Sequence, residues 1–283
     1  MGWCGSRRNA TANSASSPKD GSVKLVKLGA GSKPHGIITG PNGNAYINDG
    51  GQNAIVRYSH KDGALKIWKL PDDTGYTNLN TSAFDGDGNL WFTGQTGIYG
   101  ELDVAWNQIK VWDAPVGRGA YGITGTPNGD VWFVSLASSY LGKINRATGE
   151  VEVIKPPGRK KAGQRRVWSD SKGDLWISEW NSGLLSRYSP ATKVWKDWKV
   201  PGAEAQNYAV YVDDKDIVWF SQWGANTTYS FDPKTEKFLS VPGSKPGANV
   251  RQCLGRPGEV LLPESGTSSV MIVKTDVRTT PIN

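Results

Sequence analysis

The chain has only two histidines, so imidazole chemistry can be placed at His35 or at His60. His35 stands in KPHGII, residues 33–38, after a proline and before a short apolar run. A histidine so placed can move a proton near neutral pH or offer a ring nitrogen to a metal. His60, in SHKDG, reads as a solvent-exposed turn residue. Asp49, Glu179 and Glu264 supply hard oxygen, suited to a divalent cation or to acid/base work. Arg165, Arg166 and Arg251 suit a carboxylate or another anion. Trp180 in EWNSG and Trp223 in QWGAN would wall a pocket for a flat ligand. No G-x-S-x-G, H-E-x-x-H, P-loop or dinucleotide fingerprint is present.

These residues gain meaning from the elements that must carry them. One phrase recurs six times: GPNGNAYIND, DGDGNLWFTG, TPNGDVWFVS, DSKGDLWISE, VDDKDIVWFSQ and GRPGEVLLPE. Its leading large residues are Tyr46, Trp91, Trp132, Trp176, Trp219 and Leu261, spaced 45, 41, 44, 43 and 42 residues apart. A period of ~40–45 residues, each unit opening on a Gly/Asn/Asp turn before a β-rich run, is that of a propeller blade. A third strand such as AIVRYS or YLGKINR follows, then a fourth ending in proline, as in ALKIWKLP or QIKVWDAP. Four strands per unit predict an all-β, six-bladed β-propeller, with seven blades as the alternative count. The last unit lacks a fourth strand, whereas SVKLVKL near the start resembles one, so Val23–Leu28 is expected to complete the last blade and close the ring. Residues 1–21 read as a disordered or processed tail, and 22–283 as one propeller domain. The ladder tryptophans are expected to be core, because a large residue at one place in every blade packs between neighbouring sheets.

Two positions per repeat should meet at one channel mouth, since adjacent strands run antiparallel. Eleven residues before each ladder residue come His35, Asn80, Tyr121, Arg165, Tyr208 and Val250, with Arg251 beside the last. Three residues after it come Asp49, Gly94, Ser135, Glu179, Gln222 and Glu264. The candidate catalytic groups are therefore His35, Glu179 and Glu264, and the candidate metal ligands Asp49 and Glu264. The candidate ligand-binding set is Asn80, Tyr121, Arg165, Tyr208, Arg251, Trp180 and Trp223.

Bulk properties limit the partners. A net charge of +7 favours an anionic ligand at the mouth, while no nucleic-acid recognition module appears. No apolar run approaches the ~18 residues of a membrane span. Cys4 and Cys253, at opposite ends, indicate neither a zinc site nor a disulfide framework. Sequons at Asn9, Asn80 and Asn226 weakly suggest secretion, no signal peptide is visible, and the compartment stays open between secreted and cytoplasmic. A monomer is expected. GRKKAGQRR, residues 158–166, reads as a solvated basic run.

The phrases PHGI, YGIT, PNGDVWF and WFSQWGAN, at this spacing and with proline closing each blade, resemble the virginiamycin B lyase (streptogramin B lyase) family over nearly all of residues 22–278. The resemblance implies a seven-bladed propeller that opens a cyclic depsipeptide by elimination across its ester, using Mg2+ and a histidine acid/base. It makes His35 the acid/base, with Asp49 or Glu264 giving oxygen to the metal. Lys33 stands where the family's EPHG has glutamate, and Val250 and Asn80 stand where a second channel histidine would be. A cation beside that ammonium would be repelled, so a metal site is either rebuilt around Asp49, Glu179 and Glu264 or absent. Two functions follow as expectations: a carbon–oxygen lyase acting on an ester or lactone at the channel mouth, or a non-catalytic propeller binding a ligand or protein there.

Overall fold

A computed structural model describes residues 2–5, 13–17, 24–202 and 206–275, the first two stretches by backbone alone. The protein is a six-bladed β-propeller whose blades follow the six repeats. Five blades are four-stranded antiparallel sheets running from inner to outer strand in chain order: residues 34–69, 79–113, 120–154, 164–199 and 207–242. The sixth has three strands, Leu254–Arg256, Glu259–Glu264 and Ser269–Lys274. The only helical element among the described residues is a 3-10 turn, Asp72–Thr74.

Ring closure differs from the expectation. Strand β1 (Gly2–Gly5), β2 (Asn13–Ser17) and β3 (Lys24–Lys27) form their own antiparallel sheet, so β3 pairs with β2 and not with the last blade. Val26 and Leu28 still pack on Ile37, Ile47 and Val56 of the first blade, as outer-strand Trp68 and Leu70 pack on the second. Apolar burial explains why SVKLVKL looked like a fourth strand; its partner is the preceding chain. Trp3, in β1, falls 43 residues before Tyr46, a spacing that would have revealed this unit.

The repeated phrase has a physical cause. In the second, fourth and fifth blades its first aspartate does two jobs. One oxygen of Asp85, Asp170 and Asp213 accepts backbone N–H groups of the turn, and the other accepts the indole N–H of Trp91, Trp176 and Trp219 at 2.8–2.9 Å. A buried indole needs such an acceptor. All four ladder tryptophans are buried, in agreement with a core role.

The inner strands approach closely at the glycine of PHGI and YGIT. A Cβ on Gly36 would lie 2.2 Å from the Asn80 carbonyl oxygen, and one on Gly122 2.6 Å from the Arg166 Cα. Only a residue without a side chain lets adjacent blades meet there.

Candidate functional site at the channel mouth

Each four-stranded blade has a β-bulge at the start of its inner strand, between residues 34/37, 79/82, 120/123, 164/166 and 207/210. The positions eleven residues before the ladder, His35, Asn80, Tyr121, Arg165 and Tyr208, sit in those bulges. A bulge leaves residues unpaired and re-aims their side chains. It also frees carbonyls that join the blades: Asn80 O faces His35 Nδ1 at 3.2 Å, and Tyr208 O accepts from Ser178 Oγ at 2.6 Å; outside the bulges, Val250 O of the sixth blade accepts from Ser221 Oγ at 2.8 Å.

Six of the seven candidate ligand-binding residues form one cluster. The Tyr121 and Tyr208 hydroxyls are hydrogen-bonded at 2.6 Å. Arg165 Cζ lies 3.6 Å from the Tyr208 ring centroid, 4.1 Å from Trp180 and 5.1 Å from Tyr121, and its Nη2 donates to Tyr121 Oη at 3.2 Å. Trp223 stacks on Tyr208 at 5.4 Å, Trp180 meets both rings edge-on, and Arg251 Cζ lies 4.8 Å from Trp223. Tyr121 and Tyr208 are buried, Arg165, Trp180 and Trp223 half-buried, and Arg251 exposed. The cluster thus grades from a closed floor to an open rim. Asn80 is fully buried and holds Thr81 Oγ1 at 2.7 Å.

Electrostatics set this cluster apart. Among the described residues no carboxylate pairs with Arg165, Arg166 or Arg251, and the Nε atoms of Arg165 and Arg166 are buried without a hydrogen-bond partner. Burial pushes the Tyr208 phenol up, but the Arg166 and Arg165 charges and hydrogen bonds from Tyr121 and Arg165 outweigh it and bring it down to about 8. Burial drives Tyr121 the other way.

Asp49, Glu179 and Glu264 end second strands, and each is fully buried in a network of donors from its blade and the loop leading into it. Asp49 accepts from Ser32, the Lys33, Gly51 and Gln52 amides, and Gln52 Nε2. Glu179 is held by Ser182, Ser186 and Arg159, the last also paired with Asp197. Arg159 is thereby drawn inward from the basic run. Glu264 accepts from Ser244 N and Oγ, Thr267 and Ser269. Side chains so saturated have few lone pairs left for a cation. Lys33 is exposed beside His35, and no group of three His, Cys, Asp or Glu side chains converges among the described residues. The donor set does not fit Mg2+, and no chemical step is derived through it.

Other groups take structural places. His60 is half-buried, edge-on to Tyr58 at 5.5 Å, rather than a solvated turn residue. Asn226 of the third sequon is bonded to Lys245 O and Ala248 N, Asn80 is inaccessible, and Asn9 lies outside the described residues. At the opposite end of the inner strands a cavity of about 500 Å³ is lined by Ile38, Phe84, Thr124 and Trp168, with Asp85 and Asp170 committed to their indoles. Among the described residues no helix is long and apolar enough to cross a membrane.

Comparison with known proteins agrees with the architecture. The fold matches a crystal structure of a catalytically inactive virginiamycin B lyase from Staphylococcus aureus with quinupristin, at TM-score 0.81 and 20% identity over 89% of this chain and 84% of that one. A streptogramin B lyase structure matches at TM-score 0.81 and 21% identity, covering 92% and 89%. A chain of the nidogen/laminin complex matches at TM-score 0.64 and 13% identity, covering 85% and 92%. No curated protein matches in sequence. A family model, Virginiamycin B lyase family, matches residues 8–196, two thirds of the chain, and with the bulged PHGI and YGIT strands around the channel the protein belongs to that family.

Proposed function

We propose that the protein binds a flat, carboxylate-bearing ligand at the channel mouth formed by the fourth, fifth and sixth blades. One observation carries this reading: Arg165 stacks against Tyr208 and Trp180 with no acidic partner among the described residues. A guanidinium held by its faces keeps its edge donors for a planar anion, and the orientation is prepaid before binding. Trp223 offers an aromatic wall beside it, and Arg251 supplies a second, solvent-reachable charge. Calorimetric titration with a panel of aromatic carboxylates and their neutral amides tests the reading. The acids should bind, the amides should not, and Arg165→Ala or Arg251→Ala should weaken binding at least about tenfold, the loss of one charge-assisted contact. Equal binding of acid and amide would sink it.

A second reading rests on family membership and His35. The Asn80 carbonyl can only accept, so His35 Nδ1 is the protonated nitrogen and Nε2 the basic one, the tautomer a general base needs. Incubation with a streptogramin B antibiotic such as quinupristin tests for a lyase: elimination opens the ring at unchanged mass, hydrolysis adds water. Turnover that persists in His35→Ala would remove His35 from the reaction.

A further inference from the structure

The floor of the mouth contains a charge that the proposed ligand does not reach. Arg166 is 6% exposed, although it carries a full positive charge. Its Nη1 donates to Thr81 Oγ1, linking the fourth blade to the second across the axis, and its Nε has no partner. Its Cζ lies 5.1 Å from the centroid of the Tyr121 ring and 5.9 Å from that of Tyr208, the two rings whose hydroxyls are hydrogen-bonded. An unpaired buried cation is costly, and proteins compensate it with a counter-charge. No carboxylate among the described residues pairs with it, and Asp49, Glu179 and Glu264 are each held by other donors: Gln52 on the first, Ser186 and Arg159 on the second, Ser269 and Ser244 on the third. Tyr208 is the phenol whose anion the two arginines favour, but it is shared with Arg165 and Tyr121, and one phenolate leaves one of two guanidiniums unbalanced.

We infer that the propeller axis holds a small monovalent inorganic anion, of halide size, on the Arg166 guanidinium between Thr81 and the Tyr121–Tyr208 pair. The anion neutralises the inner arginine and leaves Arg165 for the ligand's carboxylate. Two adjacent arginines thereby serve two different anions, one permanent and one exchanged. The inference extends the proposed mouth-binding function but draws on a different residue.

Bromide is the probe. Crystals grown in sodium bromide should show an anomalous peak within hydrogen-bonding reach of the Arg166 guanidinium. Thermal unfolding at fixed ionic strength should give a higher Tm in sodium chloride than in sodium gluconate, rising with chloride as expected for a ligand of the native state. Arg166→Met should abolish the chloride dependence; should that variant not fold, the bromide peak in the unaltered protein decides. Arg251→Ala, which strips the mouth's rim, should keep the full chloride effect, so failure of the ligand proposal and failure of this one are distinguishable. The absence of a bromide peak at Arg166, or identical Tm values in chloride and gluconate, would overturn the inference. A peak on surface lysines alone, an adventitious ion only, would count against it equally.

Discussion

The hydroxyls of Tyr121 and Tyr208, 87 residues apart in the chain, meet at 2.6 Å and join the third blade to the fifth across the channel. The pair shares its protons unequally because Arg165 and Arg166 favour the anionic form of Tyr208. Tyrosinate absorbance should therefore report one residue ionising near pH 8, below the ordinary 10. Tyr208→Phe should remove that step, and Arg165→Met should return it towards the ordinary value. The sign for stability follows: a depressed acid stabilises the fold increasingly as pH rises from about 8 towards 10 and contributes nothing below that window. No tyrosine ionising before pH 10 would refute the assignment.

The third blade breaks the aspartate rule of its neighbours. Thr126 stands where Asp85, Asp170 and Asp213 stand, and the Trp132 indole N–H is buried without a partner. Thr126→Asp should supply the missing acceptor and raise stability by about 1 kcal/mol, the net worth of a hydrogen bond. Asp170→Ala should cost about 2 kcal/mol by orphaning Trp176. Urea unfolding of the two variants measures both, and a destabilised Thr126→Asp protein would contradict the account.

Glu264 gives an acid-side prediction. Burial raises its pKa, but the Ser244 side chain and amide, Ser269 and Thr267 outweigh that and hold it below the ordinary 4.5. A depressed carboxylate contributes stability that is complete above its unfolded pKa and is lost as pH falls through the folded one. The loss in Tm below about pH 4.5 should be shallower for Glu264→Gln than for the unaltered protein, though the variant starts lower. Parallel Tm curves would show that Glu264 does not titrate in that window.

The periodic signal carried most of the fold. Ladder spacing placed the six blades, and the eleven-residue offset found the inner-strand starts, because turn and strand lengths repeat. The offset also collected Tyr121, Arg165 and Tyr208, with Arg251 beside its last position, and the strand ends pointed to Trp180 and Trp223; the structure brings all six together. Two things were illegible. The bulges that hold Tyr121, Arg165 and Tyr208 are irregularities of backbone pairing, which the residue types of a single repeat do not encode. The fate of Asp49, Glu179 and Glu264 depends on donors from loops up to 20 residues away, so a carboxylate at a strand end looked like a free ligand when it was a clasp. Arg166 shows the converse: it sat in a basic run, and only its burial marks it as a separate charge.

The one of these clasps built on ion pairs is the Arg159–Glu179–Asp197 triad. Glu179 is completely buried, whereas the Arg159 side chain is 19% exposed and forks between Glu179 at 3.2 Å and Asp197 at 2.5 Å. Removing the arginine alone strands a carboxylate that keeps only two serine hydroxyls, so Arg159→Met should cost about 3 kcal/mol. Replacing both charges, Arg159→Met with Glu179→Leu, should recover much of that loss, since a buried pair is worth little against apolar packing of similar volume. The coupling energy from urea unfolding of the double-mutant cycle reads this directly. If the single and double variants lose the same stability, Glu179 is held by Ser182 and Ser186 alone, and the arginine belongs to the solvated surface after all.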